Sequence, residues 1–524
     1  MGITNKPVLD TLNGQELALE ILSFSGGENT VSEDQAMKIS EARVLENWDA
    51  ISIGGMERSK GFNEVADGGA SYSAAPDLLI QHKDSGGTAV YGIIAGDLVI
   101  KDGSSINQEN AAAFSSGVLS HAVSAGDALW ITNATDNLKR KTVGNVIAAA
   151  TGQPATACAR IYNSKNRLLA EGSTSVPKRV YGSRTGTGNW NNANTWSLAN
   201  DAFSIDLPED TSGMAPNFPS GNEDLVFTAD KAYALSNYPN ASYRPIPNSR
   251  GCAAPLSIAR GDEGVYFVSR RPTLGVFLFD GVNFKELSQF NKDVFVDKIN
   301  FSGKIFGFYR DSKYYLIYNE TGSGVTYPNR IRIFDARFGR WMSRPINSAL
   351  ADNMGYPALL KYSSNEIYIA SSRKDKIYEF ETTDNSDEGQ ETLASYKTKT
   401  VSSRDFALAS GGQFPIDDVR MKLEKITITY YGVAGALGIL WSADRGLHSG
   451  SKTIDLTAAG DLINTTFTVN SSKVITTPQD KTRTYSFPNH AVGRRFDFTF
   501  TNNGTGARPK IKKIKIHAIA LDES

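Results

Sequence analysis

The residues that could carry chemistry in this chain are few and scattered. Five histidines, His82, His121, His448, His490 and His517, have none of the short spacings that deliver ligands to zinc or iron. Cys158 and Cys252 are the two cysteines. They read as buried free thiols in a chain made inside a cell, with no oxidising compartment required. Neither a G-x-S-x-G elbow nor an H-E-x-x-H pair occurs. Ser442-Ala443-Asp444-Arg445-Gly446 fits the start of the Asp-box pattern S-x-D-x-G-x-x-x-W, but position 450 is Gly and the motif stands alone. It reads as a β-turn in which Asp444 bonds its own backbone. TGTGNW (185–190) imitates a phosphate loop, yet no Gly-Lys-Ser/Thr follows, so a surface loop is expected. Lys510, Lys512, Lys513 and Lys515 surround Ile511, Ile514 and Ile516. That pattern means a strand with one solvated, edge-protecting face, or a basic patch meeting DNA or an acidic neighbour. Carboxylates are plentiful, and a glycosidase pair would leave no signature in the sequence. The expectation is a non-enzyme with no catalytic, metal or cofactor-binding residue and no cofactor.

The elements around these residues are short strands. Glycine (47), Phe (25) and Tyr (21) are abundant, a composition of tight turns and pleated surfaces rather than of helical bundles or coiled coils. Basic and acidic residues nearly cancel, 55 against 56, which argues against a dedicated nucleic-acid coat. With 40% hydrophobic and 21% charged residues the chain is of the folded, globular class. No apolar run approaches the ~20 residues needed to cross a bilayer. The opening MGITNKPVLD has no basic-then-apolar leader, and Lys6 argues against myristoylation.

Three segments are expected. Residues 1–74 form an N-terminal segment that packs on the middle domain. Ser32 and Gln35 make a capping box with Val31 and Ala36 as staple, predicting a helix over 33–47, with an extended passage as the alternative. From 75 to 400, runs such as DLLIQH (77–82), GVYFVS (264–269), GVFLFD (275–280) and YYLIY (314–318) alternate with short polar turns. Strands so closely spaced are antiparallel. FDGVNFKELS (279–288) and FDARFGRWMS (334–343) repeat a strand end, a tight turn and a new strand. The fold class is therefore all-β, with a β-propeller of roughly six or seven blades over 75–400; two stacked sandwiches are the alternative. Polar stretches within 182–224 read as long interfacial loops. After the polar TTDNSDEGQETLAS, residues 401–524 read as a β-sandwich or jelly-roll-like domain. There the apolar phase slips between Leu423 and Ile426, the mark of a β-bulge, and Phe496, Phe498 and Phe500 share one face.

Several stretches together resemble a known family. FSGGENT (24–30), EARVLENWD (41–49), Gly54-Gly55 and the ERSKGF turn come first. EDLVFTADKAYALS (223–236), SRGCAAPLSIARGDEGVYFVSRR (249–271) and GVFLFDGVNFKELS match more strongly, and FDARFGRWMS and VGRRFDFTF also fit. The resemblance is to the tail nozzle or tail hub, packaged-DNA stabilisation, proteins of short-tailed bacteriophages. Ser59-Lys60-Gly61 departs from it, because Arg58 is displaced from its usual place directly before the Gly. The resemblance implies a structural virion protein, made in the host cytoplasm and assembled as a hexamer below the portal and adaptor. Tail fibres or spikes would be neighbours, and phage DNA would be retained and then pass during ejection, with no membrane insertion. Two other readings stand beside it: a carbohydrate-binding or glycoside-hydrolysing propeller, and a soluble protein-binding scaffold.

Overall fold

The computed structural model describes residues 16–521 apart from 25, 34–35, 51–54, 85, 143–146, 151–152, 155, 187–194, 197–200, 294, 325–326, 346–353, 360–365, 382–385, 388–389, 392, 410–418, 432–434, 457–479 and 503–508. The protein is all-β, and it divides into two units. One comprises residues 62–339 and 345–382, the other residues 1–61, 340–344 and 383–524.

The strands of the first unit fall, among the described residues, into consecutive runs of antiparallel strands, of which the first and the last join in one sheet. Their first strands are Pro76–Asp84, Ser120–Ala125, Arg160–Ser164, Thr211–Ala215, Ala259–Arg260, Phe306–Arg310 and Met354–Leu359. Each sheet is too small to bury two apolar faces alone, so each packs on the next. Leu78 and Ile93 of the first sheet meet Leu129 and Ile131 of the second. Trp130 joins Ile161 and Leu168, Leu169 and Val180 join Val226 and Leu235, and Phe227 joins Phe267 and Phe279. Tyr266 of the fifth sheet stacks on Tyr314 of the sixth, 5.0 Å between centroids. Tyr315 packs edge-on against Phe380 of the seventh at 5.7 Å. Ala370 and Ile377 of the seventh then meet Leu79 and Val90 of the first, which closes the circuit. This is a propeller-like arrangement.

The last sheet is completed by an early strand. Phe62–Asp67 pairs antiparallel with Lys376–Phe380, in the register Phe62↔Phe380. The expected N-terminal segment 1–74 is thus divided: its end belongs to the ring. The expected loop region 182–224 also contains strands, Phe203–Asp206 and Thr211–Ala215. Phe203 is drawn inward because its ring stacks on Tyr238 at 4.7 Å.

The second unit gathers residues from both ends of the chain as a β-sandwich. Strand β1 (Glu16–Ile21) pairs with β8 (Lys510–Ala520), and β2 (Glu41–Glu46) pairs with β3 (Ala394–Thr398). Strand β4 (Met421–Tyr431) lies along β8, while β5 (Ala436–Ala443) lies between β6 (His448–Asp455) and β7 (Arg495–Asn502). The register of β4 shifts between Leu423 and Lys425, the bulge that the apolar phase predicts, and Met421, Leu423, Ile426, Ile428 and Tyr430 all face inward. Phe496, Phe498 and Phe500 are fully buried on β7. A linear domain boundary at 400 therefore does not hold, because β8 and β3 take their partners from residues before 61.

The helix expected over 33–47 is replaced by a turn and β2, since strand pairing satisfies the backbone of Glu41–Glu46 better than an isolated helical turn would. The described α-helix is α1 (Ser403–Ala409). Its signal was legible as Ser402 three residues before Asp405, and the Asp405 carboxylate accepts the Ser402 N–H at 2.9 Å.

Two buried arginines organise this unit. Arg340, 2% exposed, donates from Nη1 to the Phe24 carbonyl at 2.5 Å. Gly27 lies against it with φ +70°, and a Cβ there would stand 2.5 Å from the Arg340 Cβ. Arg58, fully buried, donates to Asn502 Oδ1 at 3.2 Å. The Gly27→Ala variant is expected to lose about 1–3 kcal/mol of stability, read by chemical denaturation, because it combines a left-handed φ with a close approach.

Candidate functional site

A cavity of about 470 Å³ opens in the first unit where strands of four sheets begin. Leu119 and His121 come from the second sheet, Arg160 from the third, Ala253–Leu256 from the lead into the fifth, and Phe301–Ile305 from the lead into the sixth. The GCAAPLS segment builds one wall. A side chain at Gly251 would strike the Ala229 carbonyl. The Cys252 N–H bonds to the Thr228 carbonyl at 3.0 Å and the Ala253 N–H to the Val268 carbonyl at 2.9 Å. A single 3-10 turn, Pro255–Ser257, comes next. Ser257 Oγ donates to the Ala254 carbonyl at 2.6 Å and accepts the Val268 N–H at 3.0 Å. The Ser257 carbonyl accepts the Tyr314 hydroxyl at 2.8 Å. One segment thereby ties the fourth, fifth and sixth sheets.

Behind this wall lies a buried ion pair. Arg160 and Glu171 stand opposite each other across two strands. The guanidinium grips both carboxylate oxygens, with Nη2 to Oε2 at 2.9 Å, and the Glu171 side chain is wholly inaccessible. Tyr162 donates to Glu171 Oε1 at 3.3 Å and accepts the Met214 N–H at 3.2 Å. Burial raises the Glu171 carboxyl, but the charge and hydrogen bonds of Arg160 outweigh it and hold the group below its ordinary value. Burial, helped by the Arg160 charge, pushes His121 down to about 4. Its Nδ1 accepts the Ile161 N–H at 3.4 Å, so the neutral ring carries its proton on Nε2.

Both thiols border the same pair. Burial raises Cys158 and Cys252 to about 12, so neither is an available thiolate. They are free and buried, as the sequence predicts. The cavity therefore offers apolar contact, a neutral imidazole, Arg160 locked to its partner, and Lys304. Its lining residues include no carboxylate.

The other sequence candidates fall elsewhere. His82 contacts Ser124 Oγ at 2.8 Å, His490 lies beside the Trp441 ring at 5.8 Å, His517 pairs with Glu16 at 2.9 Å, and His448 is exposed at the start of β6. Among the described residues no three His, Cys, Asp or Glu side chains converge as metal ligands. Asp444 does sit in a tight turn, but its Oδ1 accepts the N–H groups of Arg494 (2.9 Å) and Arg495 (3.0 Å) rather than those of its own turn. The lysines of β8 alternate with buried isoleucines and meet acids of their own chain. Lys510 pairs with Glu57 at 3.0 Å, Lys512 with Asp480 at 2.5 Å, and Lys513 and Lys515 with Glu20 at 2.7 and 3.1 Å. Of TGTGNW, residues 187–190 lie outside the described residues. The Arg160–Glu171 pair was not legible in the sequence, because only strand register brings the two together.

No family model matches the chain, and no curated protein does. Among solved structures it is similar to the computationally designed Ika8 protein, with 9% identity and a TM-score of 0.36 over 61% of this chain and 100% of that one. It is also similar to an ancestral GH74 enzyme, with 10% identity and a TM-score of 0.40 over 65% of this chain and 50% of that one. A third is BBS1N in complex with ARL6DN, with 11% identity and a TM-score of 0.39 over 65% of this chain and 98% of that one. The chain spans half the length of the GH74 enzyme it matches, and likenesses of this strength carry no functional argument.

Replacing Arg160 by Met strands the Glu171 charge, so the first unit should lose about 3–5 kcal/mol. The double replacement Arg160→Met with Glu171→Leu should recover much of that loss in the same denaturation series. Stability should also depend on pH. The folded His121 value of about 4 lies below the ordinary 6.5, so the unfolded chain takes up the proton first. Stability should be full above about pH 6.5 and decline toward pH 4, with Glu171 adding a further loss in stronger acid as its lowered carboxyl protonates. Denaturation midpoints should fall over that window in the native protein and stay flatter in His121→Gln.

Proposed function

We propose that the chain is a structural protein of a short-tailed phage tail, a nozzle or hub subunit without catalytic activity. The observation that carries this reading is where the resemblance-bearing segments act. FSGGENT supplies the carbonyl and the glycine that meet Arg340. GCAAPLS ties three sheets. In each Phe-Asp repeat the aspartate caps its own turn: Asp280 accepts the Val282 N–H at 2.8 Å and Asp335 accepts the Arg337 N–H at 3.1 Å. The likeness thus falls on contacts that define the architecture rather than on isolated words.

In this role the subunit forms a sixfold ring below the portal and adaptor, with tail fibres or spikes as neighbours, and retains packaged DNA until ejection. Near-neutral net charge suits a conduit that DNA must leave. Closed rings arise from head-to-tail interfaces whose rotation closes. Electron microscopy of the purified protein is expected to show monomers or weak oligomers, and of the parent virion sixfold rings labelled by an antibody against this chain. Deleting residues 184–196 should impair incorporation into the ring while preserving the β-sheet circular dichroism. Absence of the chain from virions overturns the reading. So does turnover of a polysaccharide or aryl-glycoside that a single Asp or Glu substitution abolishes.

A further inference from the structure

The second unit has a groove beside β1. A cavity of about 620 Å³ lies between β1, residues 37–39 and α1. Leu19 and Glu20 both line it, although successive residues of a strand point to opposite faces. The cavity therefore runs past the edge of β1. That strand pairs with β8 on one side, and among the described residues no strand pairs with its other edge.

The lining is apolar below and positive at the rim. Leu22 and Leu408 face it at 59% and 62% exposure, unusually open for leucines that share one cleft. Its cations are Lys38, Lys399, Arg404 and Arg495, against the carboxylates of Glu20 and Asp405. Both carboxylates are already engaged. Glu20 is held by Lys513 and Lys515, and Asp405 by Lys399 at 2.5 Å. Lys38 and Arg495 lie on the rim besides these pairs and give it positive charge.

We propose that this groove docks an extended, acidic segment of a different protein, which adds to the open edge of β1 and lays aliphatic side chains between Leu22 and Leu408. Strand addition supplies backbone hydrogen bonds, and alternate side chains then read the pocket and the rim. The floor offers aliphatic side chains rather than aromatic rings, so it does not suit stacked bases. The leucines line a cleft rather than a convex face, so it does not suit a bilayer. A second copy of this chain also fits poorly. Among the described residues its most exposed apolar side chains, Val282 (77%) and Leu447 (78%), sit on tight turns that cannot lie extended along a strand. The inference rests on the geometry of this unit and not on the virion reading.

The test uses the full-length protein and a fluorescein-labelled 12-residue peptide of alternating Asp and Leu, compared with its Lys-for-Asp counterpart by anisotropy. The acidic peptide should bind and the basic one should not. Leu408→Asp and Arg495→Glu, both at exposed side chains, should each weaken binding about tenfold or more. Lys452→Glu on β6 should leave it unchanged, and matching circular dichroism melts would establish that every variant is folded. Hydrogen exchange should slow in residues 17–21 on binding. No binding up to about 1 mM, or equal binding by Leu408→Asp, overturns the proposal. So does unaltered exchange in β1. Self-association, or binding to phosphatidylglycerol vesicles, that Leu408→Asp abolishes would equally overturn it, by assigning the groove to a second copy or to lipid.

Discussion

The first unit depends on the closure of its last sheet by a strand made before the first. A small antiparallel sheet has two apolar faces, and only a neighbour on each side can keep both from water. Sheets packed in series leave one face bare at each end unless the series meets itself. Phe62–Asp67 completes the seventh sheet in register with Lys376–Phe380, and Ala66 joins the cluster that the seventh sheet shares with the first. The closing pair, Phe62 and Phe380, is joined by the whole length of the ring. Loop-closure entropy of that scale must be overcome before the contact is rewarded, which places the unit among slow-folding, non-local topologies.

The second unit meets a related constraint by discontinuity. Its sheets draw on residues near both ends and on a short insertion at 340–344. Buried arginine is tolerable only where its charge finds acceptors, and both central arginines find them on distant segments: Arg340 on Phe24 and Arg58 on Asn502. The glycine at 27 exists to let backbone approach Arg340.

The candidate cavity grows out of this architecture. The segment that ties three sheets also forms its wall, and the Arg160–Glu171 pair stiffens the strands behind it. Burial holds the tyrosine and thiol groups around that pair protonated.

Local features were open to reading without the structure. The period-2 pattern of β4, its bulge after Leu423, the inward phenylalanines of β7, the buried thiols and the turns at Asp280 and Asp335 arise from side-chain alternation and turn chemistry, which belong to the backbone over a few residues. The capping box at Ser32 was misleading, because a capping box reports only local preference and strand pairing at Glu41–Glu46 overrode it. Tertiary structure alone decided that β1 lies on β8, that Phe62–Asp67 closes the ring, that Asp444 reaches Arg494 and that Arg160 faces Glu171. Strand partnership is selected by burial between segments far apart in the chain, and periodicity within one strand holds no record of which partner will cover it.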